Sequence, residues 1–251
     1  MKRLTSPLAL CAAALAATLT VTALFASTAH RQDRLRLERL ADGYERVISD
    51  RLGTYIIMLR GIEGLVASGN VMTPGLFEAY VSRLDIPNTY PGVQGLGYAL
   101  TLPSDDFATA SSALHDAGFK DLSLWPEGER GSYSAIVLLY PDDDRNQVAL
   151  GFDMTSEARR REAMMAAVAG DEPRITLPIE LVQEIDDGDR QPGFLIYLPV
   201  HFTDAAGNRN FLGWSYCPFR AHDFFNRALR PIEVTRQVAE AASVPVFSYW
   251  K

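Results

Sequence analysis

LGFDMTSEARRREAMMAA, residues 150–167, groups an aspartate, a hydroxyl pair and three consecutive arginines at the start of a helical pattern. It is either a catalytic or anion-gripping constellation, or a capped helix whose charges face water. Capping accounts for much of it. Asp153, Thr155 or Ser156 can accept from amides left free at a helix start, and Glu157 suits the positive end of the dipole. The three arginines then fall about 100° apart around the helix. Arg161 shares a stripe with Ala158, Met165 and Val168 and is expected on the packed side, while Arg159 and Arg160 reach water. A buried Arg161 must meet a carboxylate, a carbonyl or a ligand anion. A structural partner is expected.

Outward from this helix, short apolar runs alternate with helical patterns. Upstream, TPGLFEAYVSRLDI starts at Thr73-Pro74, with proline suited to a first turn. The Pro-Gly turn in NTYPGVQGLGYALTLP feeds a strand around Leu96 to Leu102. Asp105 to Ala117 reads as a helix, and GFKDLSLWPEGERGS as a strand followed by a turn-rich loop. YSAIVLLYP, Tyr133 to Pro141, is a buried strand by length and apolarity. DDDRNQ reads as the hairpin turn and VALGFDM as the returning strand. Downstream lie RITLPIELVQE, GFLIYLPVHFT, NFLGWSYCPF, a helix AHDFFNRALRP and a last strand near VPVFSYW. This series predicts an α+β fold, an antiparallel sheet with helices packed on it.

The N-terminus is of another kind. Lys2 and Arg3 precede an uncharged run from Leu4 to Ala29, and Arg31 and Arg34 follow it. Its core, Leu8 to Ala26, is about long enough to span a bilayer as one helix, so it reads as a signal anchor with the bulk of the chain outside the cytoplasm, which in a bacterium means the inner membrane and the periplasm. Ser27-Thr28-Ala29 leaves signal-peptide cleavage open, and Leu10 is too bulky for a lipoprotein box ending at Cys11. From Arg31 to Ser68, apolar residues recur at Leu37, Leu40, Tyr44, Ile48, Leu52, Tyr55, Leu59, Ile62 and Val66. That spacing predicts an amphipathic stalk of roughly 55 Å, closed by Ser68-Gly69-Asn70 and weakened at Gly43 and Gly53. Its stripe packs on its own domain or on the same helix of a second chain.

Composition narrows the function. The chain has 251 residues and a formal net charge of −7, with a pI near 5.1. No basic surplus exists to displace counterions, which argues against nucleic acid. Cys217 is the lone cysteine beyond the apolar segment, so no disulfide or cysteine metal cluster is expected, and a buried thiol is. His30, His115, His201 and His222 show no metal-binding spacing, and no Gly-x-Ser-x-Gly elbow exists. GVQGLG lacks the setting of a nucleotide loop, and Asp142-Asp143-Asp144 lacks the ordered acceptors of a calcium loop. No metal and no cofactor are expected, and these absences remove the familiar routes to an enzyme without excluding one.

In order along the chain, LFEAYVSRLDI, YPGVQGLGYAL, the Tyr133 strand, LGFDMTSEARRREAM, RITLPIELVQE, GFLIYLPVHF and FLGWSYCPFRAHDF resemble the CHASE domain. This is the extracytoplasmic sensory domain of many bacterial receptors and of the plant cytokinin-receptor histidine kinases. The resemblance implies a long N-terminal stalk helix followed by two PAS-like lobes with antiparallel sheets. The corresponding segments are residues 1–30 (anchor), 31–70 (stalk), 71–205 (membrane-distal lobe) and 206–251 (membrane-proximal lobe). It implies a small-molecule ligand in the distal lobe, no catalysis of its own and a homodimer formed largely through the stalk and that lobe; an accessory subunit without a ligand and a periplasmic enzyme are the alternatives. The carried-over pocket comprises Tyr98, Tyr133, Ala135, Val137, Met164, Met165, Thr176, Pro178, Leu195 and Tyr197, with Asp153 and Arg161 as structural motif residues. Plant receptors place an adenine-binding acidic residue just before the Tyr133 strand. Gly131-Ser132 stands there in this chain, which leaves the ligand class open. Family domains lead into a second membrane helix and a kinase or diguanylate-cyclase output. This sequence stops at Lys251, so a truncated receptor and a stand-alone sensor acting through a separate output protein both fit.

Overall fold

The structure is a computed structural model that describes residues 7–68, 71–90, 93–184 and 190–229. It divides into two compact units, Met1–Ser49 and Asp50–Lys251. Helix α1 (Pro7–Ala67) begins in the first and ends in the second. In the first unit Leu15, Leu19, Leu24 and Phe25 are exposed, whereas Tyr44, Val47 and Ile48 are half-buried. A window of mean hydropathy 1.9 makes this helix long and apolar enough to cross a membrane. Thr18, Thr20 and Thr22 each donate to the carbonyl four residues back, at 2.8–2.9 Å. These hydroxyls therefore need no water. Gly43 and Gly53 do not interrupt the helix.

In the second unit the expected stripe is buried through Tyr55, Leu59, Ile62 and Val66, with Met58 beside it. Helices α2 (Pro74–Leu84) and α3 (Ile86–Thr89) follow. Thr73 caps α2 by accepting from Leu76 N, with Pro74 in its first turn. Gly61 allows α2 close to α1: a Cβ there would lie 2.0 Å from the Tyr80 hydroxyl, which donates to Met58 O at 2.7 Å. Next come β1 (Leu96–Leu102), α4 (Phe107–Asp116) and β2 (Tyr133–Tyr140). The short α5 (Asp144–Gln147) and a 3-10 turn (Met154–Ser156) lead to α6 (Ala158–Gly170). Strands β3 (Arg174–Ile175), β4 (Gly193–Thr203) and β5 (Arg209–Arg220) precede a helix over residues 221–229, α7.

The five strands form one antiparallel sheet in the order β2-β1-β5-β4-β3. The fold is thus α+β, with a long N-terminal helix ahead of the sheet. Strand alternation gives the sheet two packed faces. On one, Ser215 donates to Leu59 O of α1 at 3.2 Å, and Tyr55 of α1 packs on Phe219 at 4.9 Å between ring centroids. On the other, Ala99, Ile136, Leu195, Tyr197, Trp214 and Tyr216 meet Met164 and Ala167 of α6. Gly213 permits the β1–β5 crossing. Its φ is +154° and a Cβ would lie 2.0 Å from Ala99 O, a conformation and a space open to glycine.

Three sequence expectations are corrected. DDDRNQ is not a hairpin turn: Asp143 accepts from Asn146 N and starts α5. VALGFDM is not a paired strand. It runs as turns with isolated bridges, Phe152 to Trp125 and Asp153 to Ala135, because Gly151 bends the chain at φ +78° against Ser123 O. The strand expected before Trp125 is reduced to that one bridge. The expected lobe boundary at 205/206 falls in the β4–β5 turn, where Asp204 accepts from Ala206 N and Asn208 N at 2.9 and 2.8 Å. Gly69-Asn70, Pro91-Gly92, residues 185–189 and everything beyond 229, including the expected last strand near VPVFSYW, lie outside the described residues.

Candidate functional site

Residues 150–167 fold in two steps. Asp153 is fully buried and serves the 3-10 turn, not α6. Its Oδ1 accepts from Thr155 N (3.0 Å), from Thr155 Oγ1 (2.7 Å) and across from Ser134 N of β2 (2.8 Å). Its Oδ2 lies 3.4 Å from Arg130 Nη1. Glu157 caps α6 itself, accepting from Arg159 N at 3.0 Å and Arg160 N at 2.8 Å. The acid of the motif is therefore a tie between the turn and the sheet.

The buried arginine is Arg160, at 2% exposure; Arg161 lies on the exposed side and donates to Thr155 O at 2.6 Å. The helix turns the stripe Arg160, Ala163, Met164, Ala167 inward, one residue out of phase with the expected stripe. The reason is compositional. Alanine and methionine occupy nearly every side of this helix, so its apolar pattern does not set the phase. Met165 consequently faces out at 43% exposure.

On the sheet beneath Arg160, Tyr197 of β4 pairs with Tyr216 of β5, their ring centroids 6.2 Å apart. The Tyr216 ring lies over Gly97 of β1, where a Cβ would sit 2.4 Å from ring carbons. Arg160 lies over the Phe152 ring, 5.3 Å from the centroid, and donates from Nη2 to Glu180 O at 3.1 Å. Neither the Tyr197 nor the Tyr216 hydroxyl has an acceptor for its proton, and Arg160 is within reach of the Tyr197 oxygen. Burial pushes the Tyr197 phenol up to about 12, with Arg160 pulling the other way. Burial likewise raises Tyr216 well above its usual range. Both phenols stay protonated and can donate. Trp214 closes the wall, its Nε1 donating to Met164 O at 3.4 Å.

The pocket residues carried over from the resemblance divide between the two faces. Met164, Leu195 and Tyr197 meet on the α6 face. Tyr98 is on the other face, in an apolar pocket of about 400 Å³ with Val66, Met72, Leu100, Phe119 and Phe202. Tyr133 and Ala135 share that face by strand alternation. The Tyr133 hydroxyl is already paired, donating to Gly128 O at 2.9 Å and accepting from Arg130 N at 3.0 Å. Val137 is buried at the bulge where β1 and β2 shift register. Thr176 extends the β3–β4 ladder, its Oγ1 accepting from Leu195 N at 3.1 Å. Pro178 is exposed, and its carbonyl accepts from Arg159 Nη1. Arg160, expected to reach water, and Tyr216 were missed. Their signal is tertiary: a helix phase and a strand register. Among the described residues no cluster of His, Cys, Asp or Glu could hold a metal ion. Cys217 is a buried thiol donating to Gly95 O at 3.0 Å.

Fold and site define an α+β domain behind an N-terminal helix apolar enough to cross a membrane. The family profile of the CHASE domain matches residues 71–243, and the chain belongs to this family of extracytoplasmic sensory domains. A comparison with curated proteins found no match.

Proposed function

We propose that the protein is a sensor anchored in the bacterial inner membrane by α1, whose periplasmic CHASE domain binds a small molecule as the input step of signal transduction and catalyses no reaction. The observation that supports this reading is the buried polar constellation on the α6 face. Arg160, Tyr197 and Tyr216 bring a cation and two free donors into an apolar wall, the composition of a recognition pocket. The five-stranded antiparallel sheet with its covering helices fits a PAS-like distal lobe. The output partner on this reading is a kinase or a diguanylate cyclase. The test is a metabolite screen on the full chain in detergent, read as a ligand-dependent rise in Tm. A broad screen with no shift, in a protein that melts cooperatively, counts against ligand sensing.

Homodimerisation through the stalk is the second element of the proposal. In the first unit Leu35, Leu37 and Leu40 are exposed on α1, and an exposed helical apolar stripe is stabilised by a second helix. Disulfide trapping with cysteines introduced at Leu37 and Leu40 tests it. Cross-linking no better than at the exposed Glu38 refutes the stalk interface.

A further inference from the structure

A buried polar atom without a partner has lost its water and gained nothing, so each one calls for an explanation. Two buried hydroxyls here, Tyr197 and Tyr216, lie side by side on neighbouring strands with no acceptor for their protons. They face a third anomaly. Arg160 is a buried cation, and among the described residues no carboxylate pairs with its guanidinium, which meets Glu180 O, the Phe152 ring and the Tyr197 oxygen. Glu157, whose charge reaches Tyr197, is engaged with the backbone N–H groups of Arg159 and Arg160. One positive charge and two neutral O–H donors, walled by Met164, Leu195 and Trp214, describe the complement of a particular chemistry.

We propose that this site takes a small organic monocarboxylate, its carboxylate meeting Arg160 and the Tyr197 and Tyr216 hydroxyls and its apolar part lying against Met164 and Leu195. The assignment rests on the sensory reading and names its ligand class. Charge decides between oxyanions. A monoanion cancels the single charge of Arg160, whereas a phosphate dianion leaves a surplus negative charge in a low-dielectric interior. Planarity favours the same answer, since a guanidinium receives a carboxylate as a two-bond fork. The Glu180 carbonyl is the acceptor that a carboxylate oxygen replaces. The segment Pro178 to Glu180 that carries it also walls an open groove of about 500 Å³ with Arg159 and Pro192. That groove is the approach from solvent, and exchange of acceptors at Arg160 ties occupancy to the position of Pro178 to Glu180.

The test uses the full chain in detergent, melted with millimolar acetate, butyrate, hexanoate, benzoate and phenylacetate, beside the primary amide of each and inorganic phosphate. The expected result is a rise in Tm with one or more carboxylates and none with the matching amide. Tyr197→Phe and Tyr216→Phe remove an oxygen and keep the ring, and each weakens that carboxylate by about tenfold or more. Arg160→Met abolishes binding, and the two phenylalanine variants keep the test decisive if it unfolds. Shifts with amides but not carboxylates overturn the monocarboxylate and leave ligand sensing standing. Phosphate binding that equals the carboxylate, undiminished carboxylate binding in both phenylalanine variants, or no shift with any carboxylate each overturn the assignment.

Discussion

Replacing Asp153 by alanine tests whether the acid of residues 150–167 is structural. The change removes the acceptor of two buried backbone N–H groups, Ser134 N at 2.8 Å and Thr155 N at 3.0 Å. The Thr155 hydroxyl has an alternative acceptor in Ser132 O at 2.9 Å and is not stranded. Arg130 is partly exposed and also donates to Pro126 O and Gly128 O, so loss of its ion pair adds little. Each orphaned donor costs about 1–3 kcal/mol, which sums to about 4 kcal/mol for the two. For a domain of this size 1 kcal/mol is about 2–4 °C, so the Tm of the full chain in detergent falls by about 8–16 °C. Asp153→Asn keeps an acceptor at the Oδ1 position and loses about half as much. The assay is thermal melting followed by far-ultraviolet circular dichroism and tryptophan fluorescence. An alanine variant melting within about 2 °C of the parent, or an asparagine variant as damaged as the alanine one, refutes the account.

Further predictions concern the helix phase, the sheet and pH. Met164→Ala lowers stability by about 2–5 kcal/mol, whereas exposed Met165→Ala stays within about 0.5 kcal/mol; equal effects in a denaturation series would return the stripe to its expected phase. Gly97→Ala drives a Cβ into the Tyr216 ring and costs about 1–3 kcal/mol, measured as a Tm drop that largely disappears when Gly97→Ala is made in a Tyr216→Ala background and compared with that variant alone. The His201 imidazole is held below its ordinary value of 6.5 by burial first and then by Arg209, against the pull of Asp171. Below that value the unfolded chain binds the proton more readily, so the stability from His201 is full above about pH 6.5 and is lost as pH falls through the depressed folded value. His201→Gln flattens this limb of the Tm profile, and superimposable profiles for the two proteins sink the linkage.

Much was readable because local chemistry dictated it. The Thr73-Pro74 start of α2, the apolar runs of β1, β2, β4 and β5, and the stalk stripe from Tyr55 to Val66 each have one spacing that hides their apolar atoms. The ordered motifs resemble the CHASE family, whose profile matches residues 71–243. Where several solutions hide the same atoms, the sequence was silent. Alanine and methionine around α6 left Arg160 and Arg161 interchangeable. The VALGFDM segment has a strand's composition, yet Gly151 and the cap at Asp143 turn it aside.

The sequence by itself thus determined most of the elements, the α+β class and the apolar N-terminal helix, which follow from local periodicity; the family was legible through the resemblance of its ordered motifs. Tertiary structure decided which arginine is buried and which face of the sheet each candidate residue serves. It alone set the Tyr197 and Tyr216 hydroxyls beside one guanidinium. The physical reason is that helix phase and strand register are fixed by what packs against them. Gly97 leaves room for one tyrosine ring, and the Glu180 carbonyl is within reach of Arg160 and holds it inside.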